Sequence, residues 1–195
     1  MSPMHSVKDD EKALLEACIK GDPKAQEVLY DRFAPRMYAI CRSYSENDLE
    51  AQDLLQEGFI KVFKNIGKCS SEGSLEAWVR KVVVNNNIDH YRHKNKKYGI
   101  KATTTDEELN NDAELVENEA LRSFHDNDLL RVLRILPHGY RMVLNLYIVE
   151  GYPHKEIAEM LGISVSTSKS QFFRAKELLK KKLGKESIEE YFAAI

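Results

Sequence analysis

The sequence predicts an all-α protein made of two small helical domains joined by a flexible acidic linker. Apolar residues recur at helical spacing along most of the chain, with almost no strand signal. A chain of 195 residues with 43% hydrophobic content can hold two small cores. Between the two periodic parts, seven basic residues within 80–101 are followed by seven acidic residues within 102–119.

The composition excludes several classes of protein. The three cysteines (Cys18, Cys41 and Cys69) are widely spaced and form no C-x-x-C pair, which indicates a reducing cytoplasm and argues against disulfides or zinc. Residues 1–10 lack an apolar core, so neither a signal peptide nor membrane insertion is expected. The sequence has no phosphate-cradling glycine loop, nucleophile elbow or metalloprotease motif. We therefore predict no enzyme, no cofactor and no metal site.

Two helices are predicted at the start of the chain. Residues 11–20 form an amphipathic helix that ends at Gly21. Asp22 is expected to cap a second helix, with Pro23 in its first turn. Pro35 is expected to bend or briefly interrupt this second helix, because proline lacks a backbone donor and clashes with the preceding turn.

A third helix is predicted to open at Asn47 or Asp48 and to stop near Gly67. Its early turns are acidic, and three polar side chains share one exposed strip: Asp53, Gln56 and Glu57. Acids near a helix start can simply favour the helix macrodipole. The same strip would also suit a basic partner helix, so both interpretations stay open at this point.

The fourth predicted helix is basic and aromatic. Ser74 caps it after a loop at 68–73, and it contains the only tryptophan, Trp78. The valines at 82–84 belong to the helix rather than to a strand, because apolar residues recur at helical spacing around them. The asparagines at 85–87 are weak helix formers, and such a local inconsistency indicates a candidate functional position.

A domain boundary follows the fourth helix. Residues 94 to about 123 begin basic and become acidic, which predicts a flexible, partly helical linker. Residues 126–136 predict a helix stopped by Pro137, and residues 138–149 predict the next one. A short terminal helix is predicted at 187–192.

The stretch 153–182 predicts a helix-turn-helix. Gly162 suits the left-handed residue that ends its first helix, and Ser164 is expected to cap the second. A hairpin with a solvated polar face is the plain alternative, but an exposed Phe173 favours DNA. The candidate major-groove contacts are cations at Lys169 and Arg174, hydrogen-bonding groups at Ser170 and Gln171, and an apolar surface at Phe173.

Together these features resemble a known family. The chain is similar to group 4 (extracytoplasmic function) bacterial sigma factors, which retain only sigma regions 2 and 4. The segments that carry the resemblance are GDPKAQEVLYDRF, AQDLLQEGFIKVF, SLEAWVRKVVVNNNIDHYR and LPHGYRMVLNLYIVEGYPHKEIAEMLGISVSTSKSQFFRAK. The SKSQ and LNLY wording resembles versions common in Bacteroidetes. The resemblance implies region 2 at 9–97, a linker at 98–122, region 4 at 123–184 and a tail at 185–195.

The resemblance also assigns a role to region 2. Asp53, Gln56 and Glu57 would face the β′ clamp helices of core RNA polymerase, with Leu54 and Phe59 in the domain's own core. The fourth helix and the loop before it would recognise the -10 element by taking up a flipped base. Asn85 matches the family's pocket asparagine, although a structural hydrogen bond is an equal alternative. The implied -10 set is Trp78, Arg80, Lys81, Asn85, Arg92, Lys94, Lys96 and Lys97.

Region 4 would read the -35 element and contact the β flap. The implied -35 set is Ser166, Thr167, Lys169, Ser170, Phe173 and Arg174. The chain departs from the family with Ser166 in place of the usual glycine, and with Phe172 in place of leucine or isoleucine. These departures make the promoter sequence unpredictable. The implied partners are core polymerase, promoter DNA and an anti-sigma factor.

Two functions of other classes compete with this interpretation. A stand-alone helix-turn-helix regulator would explain 153–182 equally well, but it leaves the acidic strip and the asparagine run unexplained. A helical interaction module without nucleic acid would require every basic stretch to be a solvated face. The sequence therefore favours a sigma factor that recruits core polymerase to promoters.

Overall fold

The structure, a computed structural model, describes residues 4–70, 74–98, 130 and 133–183, with side chains at 10–70, 74–96, 130 and 133–181. All regular structure in these ranges is helical, which confirms the all-α prediction. None of these helices has the length and apolar content to cross a bilayer. The helices are α1 (Met4–Ile19), α2 (Pro23–Tyr44), α3 (Asp48–Asn65), α4 (Leu75–Tyr98), α5 (His138–Ile148), α6 (His154–Leu161) and α7 (Val165–Leu183), with a 3-10 turn at Ile66–Lys68.

The chain divides into two compact units. Unit 1 comprises Met1–Arg42 and Asn47–Asp89, and unit 2 comprises Ser43–Glu46 and His90–Ile195. The predictions that fall wholly or partly outside the described residues include the loop at 68–73, the linker at 98–122, the helix at 126–136, the terminal helix at 187–192 and the tail at 185–195. Within 126–136, residue 130 and residues 133–135 are helical.

The helix α2 corrects one of the two outcomes predicted for Pro35, the brief interruption, whereas the bend stays a prediction. The helix is continuous from Pro23 to Tyr44 and passes through Pro35 without interruption. An interior proline costs about 3 kcal/mol, but its neighbours Phe33 and Met37 are almost fully buried. Each such side chain contributes roughly 1.5–3 kcal/mol when buried, so packing outweighs the lost hydrogen bond. Asp22 caps this helix as predicted, since its Oδ1 accepts from the Lys24 N–H at 2.9 Å.

Helices α3 and α4 approach each other closely along one seam in unit 1. Gly58 lies against Val83, where an added Cβ would come within 3.2 Å of the valine Cγ2. One turn away, the buried Asn86 amide donates to the Leu54 carbonyl at 3.1 Å. The seam therefore fixes α4 against α3, so that each helix turns its opposite side to solvent. The core around it includes Leu29, Phe33, Leu54, Phe59, Val62, Val79 and Val83.

Gly58→Leu is expected to destabilise unit 1 by about 1–3 kcal/mol, the usual cost of forcing extra volume into a packed seam. Thermal or urea unfolding of the full chain measures this change. Gly67→Leu is the matched control, because an added Cβ at Gly67 meets nothing within 4 Å. Equal unfolding midpoints for the two variants would contradict the close approach at Gly58.

Unit 2 contains the helix-turn-helix. Gly162 ends α6 with φ of 68°, in the left-handed region, as predicted. Ser164 caps α7 by accepting from the Thr167 N–H at 2.9 Å, which also confirms its prediction. Helix α7 packs on α5 through one apolar cluster, composed of Leu133, Leu136, Tyr140, Leu144, Ala175 and Leu179.

The three cysteines are free thiols with restricted access. Cys18 and Cys41 are buried, and Cys69 is half-buried. Burial raises the pKa of the Cys41 thiol to about 12. Burial likewise raises the pKa of Cys69. Since the thiolate is the form that reacts and binds metal, these side chains act as small apolar groups.

Candidate polymerase and promoter surfaces

The acidic strip on α3, defined as Asp53, Gln56 and Glu57, lies in solvent. All three side chains are exposed, while Leu54 and Phe59 are buried on the opposite side of the helix, as predicted. Asn47 caps α3 by accepting from the Glu50 N–H at 2.8 Å, which fixes where the strip begins along the helix. The strip is therefore presented by a rigid element whose core side is filled by its own domain.

Two exposed apolar side chains flank this strip, and their exposure was not among the sequence predictions. Leu49 is 70% exposed one turn before Asp53, and Ile60 is 52% exposed one turn after the glutamine. A single exposed leucine or isoleucine is ordinary. Two of them bracketing three polar groups along one helix face give the strip apolar ends, a composition that suits a partner helix with both charge and apolar surface.

The solvent face of α4 forms a basic stripe, defined as Lys81, Asn85, Arg92 and Lys96. All four residues are exposed, and their spacing of four, seven and four places them on one side of the helix. Asp89 falls on the same side, but its carboxylate pairs with the Lys61 ammonium at 2.9 Å. The stripe consequently presents three cations around one amide group.

The asparagine run at 85–87 divides into one exposed and two buried residues. Asn86 and Asn87 are both 2% exposed, and Asn86 supplies the structural hydrogen bond of the run. Asn85 is exposed instead, between Lys81 and Arg92. The structural hydrogen bond that the sequence analysis considered for Asn85 is therefore made by Asn86. The Asn85 amide is left accessible to solvent.

The other predicted -10 residues occupy mixed environments. Trp78 is half-buried and packs partly against the core of unit 1. Arg80 is also half-buried. The Lys94 ammonium lies 2.7 Å from the Glu46 carboxylate, so it would have to exchange that partner for a phosphate. The side chain of Lys97 and the loop residues 71–73 lie outside the described residues.

The recognition face of α7 projects from the helix-turn-helix. Phe173 is 65% exposed, and Lys169, Ser170 and Arg174 are exposed around it. The largely exposed phenyl ring therefore offers an apolar surface in the middle of a basic face. Arg174 also reaches back toward the Tyr140 hydroxyl, at 3.4 Å.

The first turn of α7 is held together by hydroxyl groups. Ser166 is exposed and Thr167 is half-buried, and their hydroxyl oxygens lie 2.7 and 2.8 Å from the Ser164 Oγ. The Ser170 hydroxyl donates to the Thr167 carbonyl at 3.0 Å. These contacts leave the hydroxyls oriented but still reachable from the exposed side.

Gln171 corrects the sequence prediction of a DNA contact. It is only 3% exposed and lies three residues after Ser168 and four before Ala175, both of which are fully buried. Helical spacing therefore places Gln171 on the inner face of α7, where its amide cannot meet a groove.

The geometry defines a helical protein that exposes one basic face on the second helix of a helix-turn-helix and another on α4. Comparison with known families identifies it further. The family model described as Sigma-70 region 2 matches residues 29–97, and that described as Sigma-70, region 4 matches residues 126–179. These two matches together span more than half of the chain. The chain belongs to the sigma-70 family, in its extracytoplasmic function (ECF) group, and is a sigma factor for transcription initiation.

Individual relatives are similar along most of their length. The ECF RNA polymerase sigma factor SigW of Bacillus subtilis is 29% identical over 171 residues, covering 84% of this chain and 91% of the relative. The ECF RNA polymerase sigma-E factor of Haemophilus influenzae is 26% identical over 181 residues, covering 89% and 95%. The solved complex of sigma factor RpoE with the anti-sigma factor NepR from Bartonella quintana matches with a TM-score of 0.47 and 20% identity, covering 80% and 94%.

Proposed function

We propose that this sigma factor binds core RNA polymerase through the acidic strip and directs it to promoters through α4 and α7. The observation that carries the proposal is the separation of charge: carboxylates are exposed on α3, whereas cations are exposed on α4 and α7. A chain with a net charge of -2 gains little from nonspecific attraction to DNA. The local cations therefore determine where promoter DNA binds.

The basic stripe on α4 is proposed to bind the melted -10 element. Lys81, Arg92 and Lys96 would neutralise phosphates along the non-template strand, a contribution that weakens with salt. Asn85 would hydrogen-bond the Watson–Crick edge of a base turned out of the stack, and the exposed part of Trp78 offers it an aromatic wall. The exposure of Asn85 and the packing of the asparagines after it support this assignment.

The recognition face of α7 is proposed to enter the major groove of the -35 element. Lys169 and Arg174 supply cations for phosphate or guanine, and Phe173 supplies the apolar contact.

On this proposal the protein has no catalytic site, because the polymer chemistry belongs to the core enzyme. A subunit that meets polymerase on the chromosome works in the cytoplasm, and the SKSQ and LNLY segments point to Bacteroidetes-type relatives.

Run-off transcription with purified core polymerase tests this function. We expect promoter-specific transcripts from genomic templates only when the protein is added, with start sites that share two conserved words. A stand-alone regulator would bind duplex DNA but would not join the core enzyme. Absence of any protein-dependent start site on a genomic template library would refute the proposal.

We also propose that an anti-sigma factor covers the acidic strip in the host. The support is the exposure of the strip together with its apolar flanks, Leu49 and Ile60, in the isolated chain. Affinity purification from the host, with the wild-type chain and with a strip variant, tests this point. We expect an inhibitor to be recovered with the wild type only, and its recovery with both would place it elsewhere.

A further inference from the structure

His154 joins all three helices of the helix-turn-helix part. It is the first residue of α6, and its ring stacks on Tyr147 of α5 with centroids 4.5 Å apart and planes at 15°. The same ring meets Phe172 of α7 edge-on, with centroids 5.6 Å apart. The rings of Tyr147 and Phe172 also pack together, with their centroids 4.6 Å apart. The His154 side chain on α6 therefore contacts both α5 and α7.

The ring also makes a polar contact with the recognition helix. His154 Nδ1 lies 2.9 Å from the Ser168 Oγ, and Ser168 is fully buried. A buried hydroxyl requires a hydrogen-bond partner. Ser168 directly precedes Lys169, which is exposed on the recognition face. The hydrogen bond thus lies one residue from a side chain assigned to DNA.

The surroundings of the imidazole disfavour its protonation. Burial lowers the pKa of His154, and the positive charge of Lys169 on α7 lowers it further. The same side of unit 2 carries Lys155 on α6, Tyr147 on α5 and Tyr152 in the connecting turn, which line an open cavity beside the ring. Lys176 on α7 lies over the Phe172 ring, 5.6 Å from its centroid. The ring is therefore neutral at pH 7 and serves as a hydrogen-bonding group rather than as a cation.

We propose that His154 is a positioning residue for promoter recognition: its bond to Ser168 fixes the rotation of α7, so that Lys169 and Ser170 meet the -35 bases in one orientation. The proposal rests on the proposed role of α7 in -35 binding. Hydrogen bonds to base edges weaken steeply with misalignment, whereas attraction to phosphates tolerates it. His154 is consequently expected to determine sequence discrimination more than overall affinity for DNA.

The test uses the full chain bound to core polymerase, and two duplexes: one selected from a randomised pool by the wild-type holoenzyme, and a scrambled version. His154→Phe keeps the ring and removes the nitrogen, whereas His154→Asn keeps a polar atom in the place of Nδ1 and removes the ring. We expect the phenylalanine variant to bind the selected duplex about tenfold more weakly, the size of one lost hydrogen bond. The asparagine variant is expected to retain most of the discrimination, and binding to the scrambled duplex is expected to stay unchanged in both.

The single variant Ser168→Ala and the double variant His154→Phe/Ser168→Ala complete a double-mutant cycle, which measures the coupling between the two side chains. Because the two groups form one bond, the double variant is expected to bind no more weakly than His154→Phe alone. A pure packing role predicts the reverse order, with asparagine worse than phenylalanine, and would overturn the proposal. The proposal would also be overturned if a variant lost affinity equally for both duplexes. The same holds if the fold-loss of affinity in the double variant were the product of the two single losses.

The outcomes also separate this proposal from the proposed function. A wild-type holoenzyme that selects no duplex refutes both. A wild type that discriminates, together with variants that discriminate equally well, refutes the role of His154 alone. Melting curves of each variant report whether unit 2 is folded, and the asparagine variant provides a second test of the hydrogen bond where the phenylalanine variant is unstable.

Discussion

The double substitution Asp53→Lys/Glu57→Lys is expected to abolish binding to core RNA polymerase. Both carboxylates are exposed on one face of α3, so the fold does not depend on burying them. Like charges placed opposite each other across an interface cost several kcal/mol. Reversing two charges against a basic partner helix should therefore weaken binding more than about 100-fold, since each 1.4 kcal/mol changes affinity tenfold.

A pull-down with tagged core polymerase measures the loss, and run-off transcription reports its consequence. The matched control is Glu27→Lys/Asp31→Lys, two exposed acids one turn apart on α2 that undergo the same change in charge. This control is expected to bind core polymerase as the wild type does. If both double variants lose binding equally, net charge rather than the strip is responsible. If the strip variant still binds, α3 is not the polymerase-binding element.

The features that sequence predicted well are local ones. A helix cap is determined by a side chain and a backbone N–H two or three residues away, so Asp22 and Ser164 were identifiable from their positions alone. Gly162 was equally identifiable, because a left-handed residue at a helix end strongly favours glycine. Helical spacing likewise separated the buried Leu54 from the exposed Asp53, since burial on an amphipathic helix follows its period.

Contacts between distant residues could not be read in the same way. Asn86 donates to a carbonyl 32 residues earlier, and Asn145 donates to the Ser43 carbonyl, 102 residues earlier. Nothing in the spacing of three consecutive asparagines shows which one is buried, because that depends on how α4 rotates against α3. The close approach at Gly58 determines this rotation. The sequence therefore indicated that the asparagine run is unusual, whereas the packing of α4 determines which asparagine is exposed.

Two predictions were wrong and one residue was missed, each for its own physical reason. The predicted interruption at Pro35 was wrong because packing around the helix offsets the local penalty of about 3 kcal/mol. The sequence misplaced Gln171 because residue type was weighed above helical phase: glutamine is a common base-reading residue, yet its position three residues from buried Ser168 places it inside. His154 was missed because its importance arises from rings and a hydroxyl on two other helices.

The double variant Lys169→Ala/Phe173→Ala is expected to abolish recognition of the -35 element. The ammonium and the phenyl ring lie on the exposed face of α7, with Phe173 one turn after Lys169. Each specific base contact typically contributes about 1–3 kcal/mol. Losing the contacts of both side chains should weaken binding to the selected duplex by roughly 30-fold or more, and losing the positive charge of Lys169 should reduce the salt slope by about one.

Footprinting and affinity measured at several salt concentrations test this expectation. Lys181→Ala is the matched control for charge, because Lys181 is exposed on the same helix 12 residues further on, about 18 Å along its axis. It is expected to leave the -35 footprint intact, since a groove-bound helix meets bases near its N-terminal end. Phe173→Ala alone separates the two contributions, because it should weaken the selected duplex without changing the salt slope. Footprints and slopes that match the wild type in the double variant would show that another element reads the duplex.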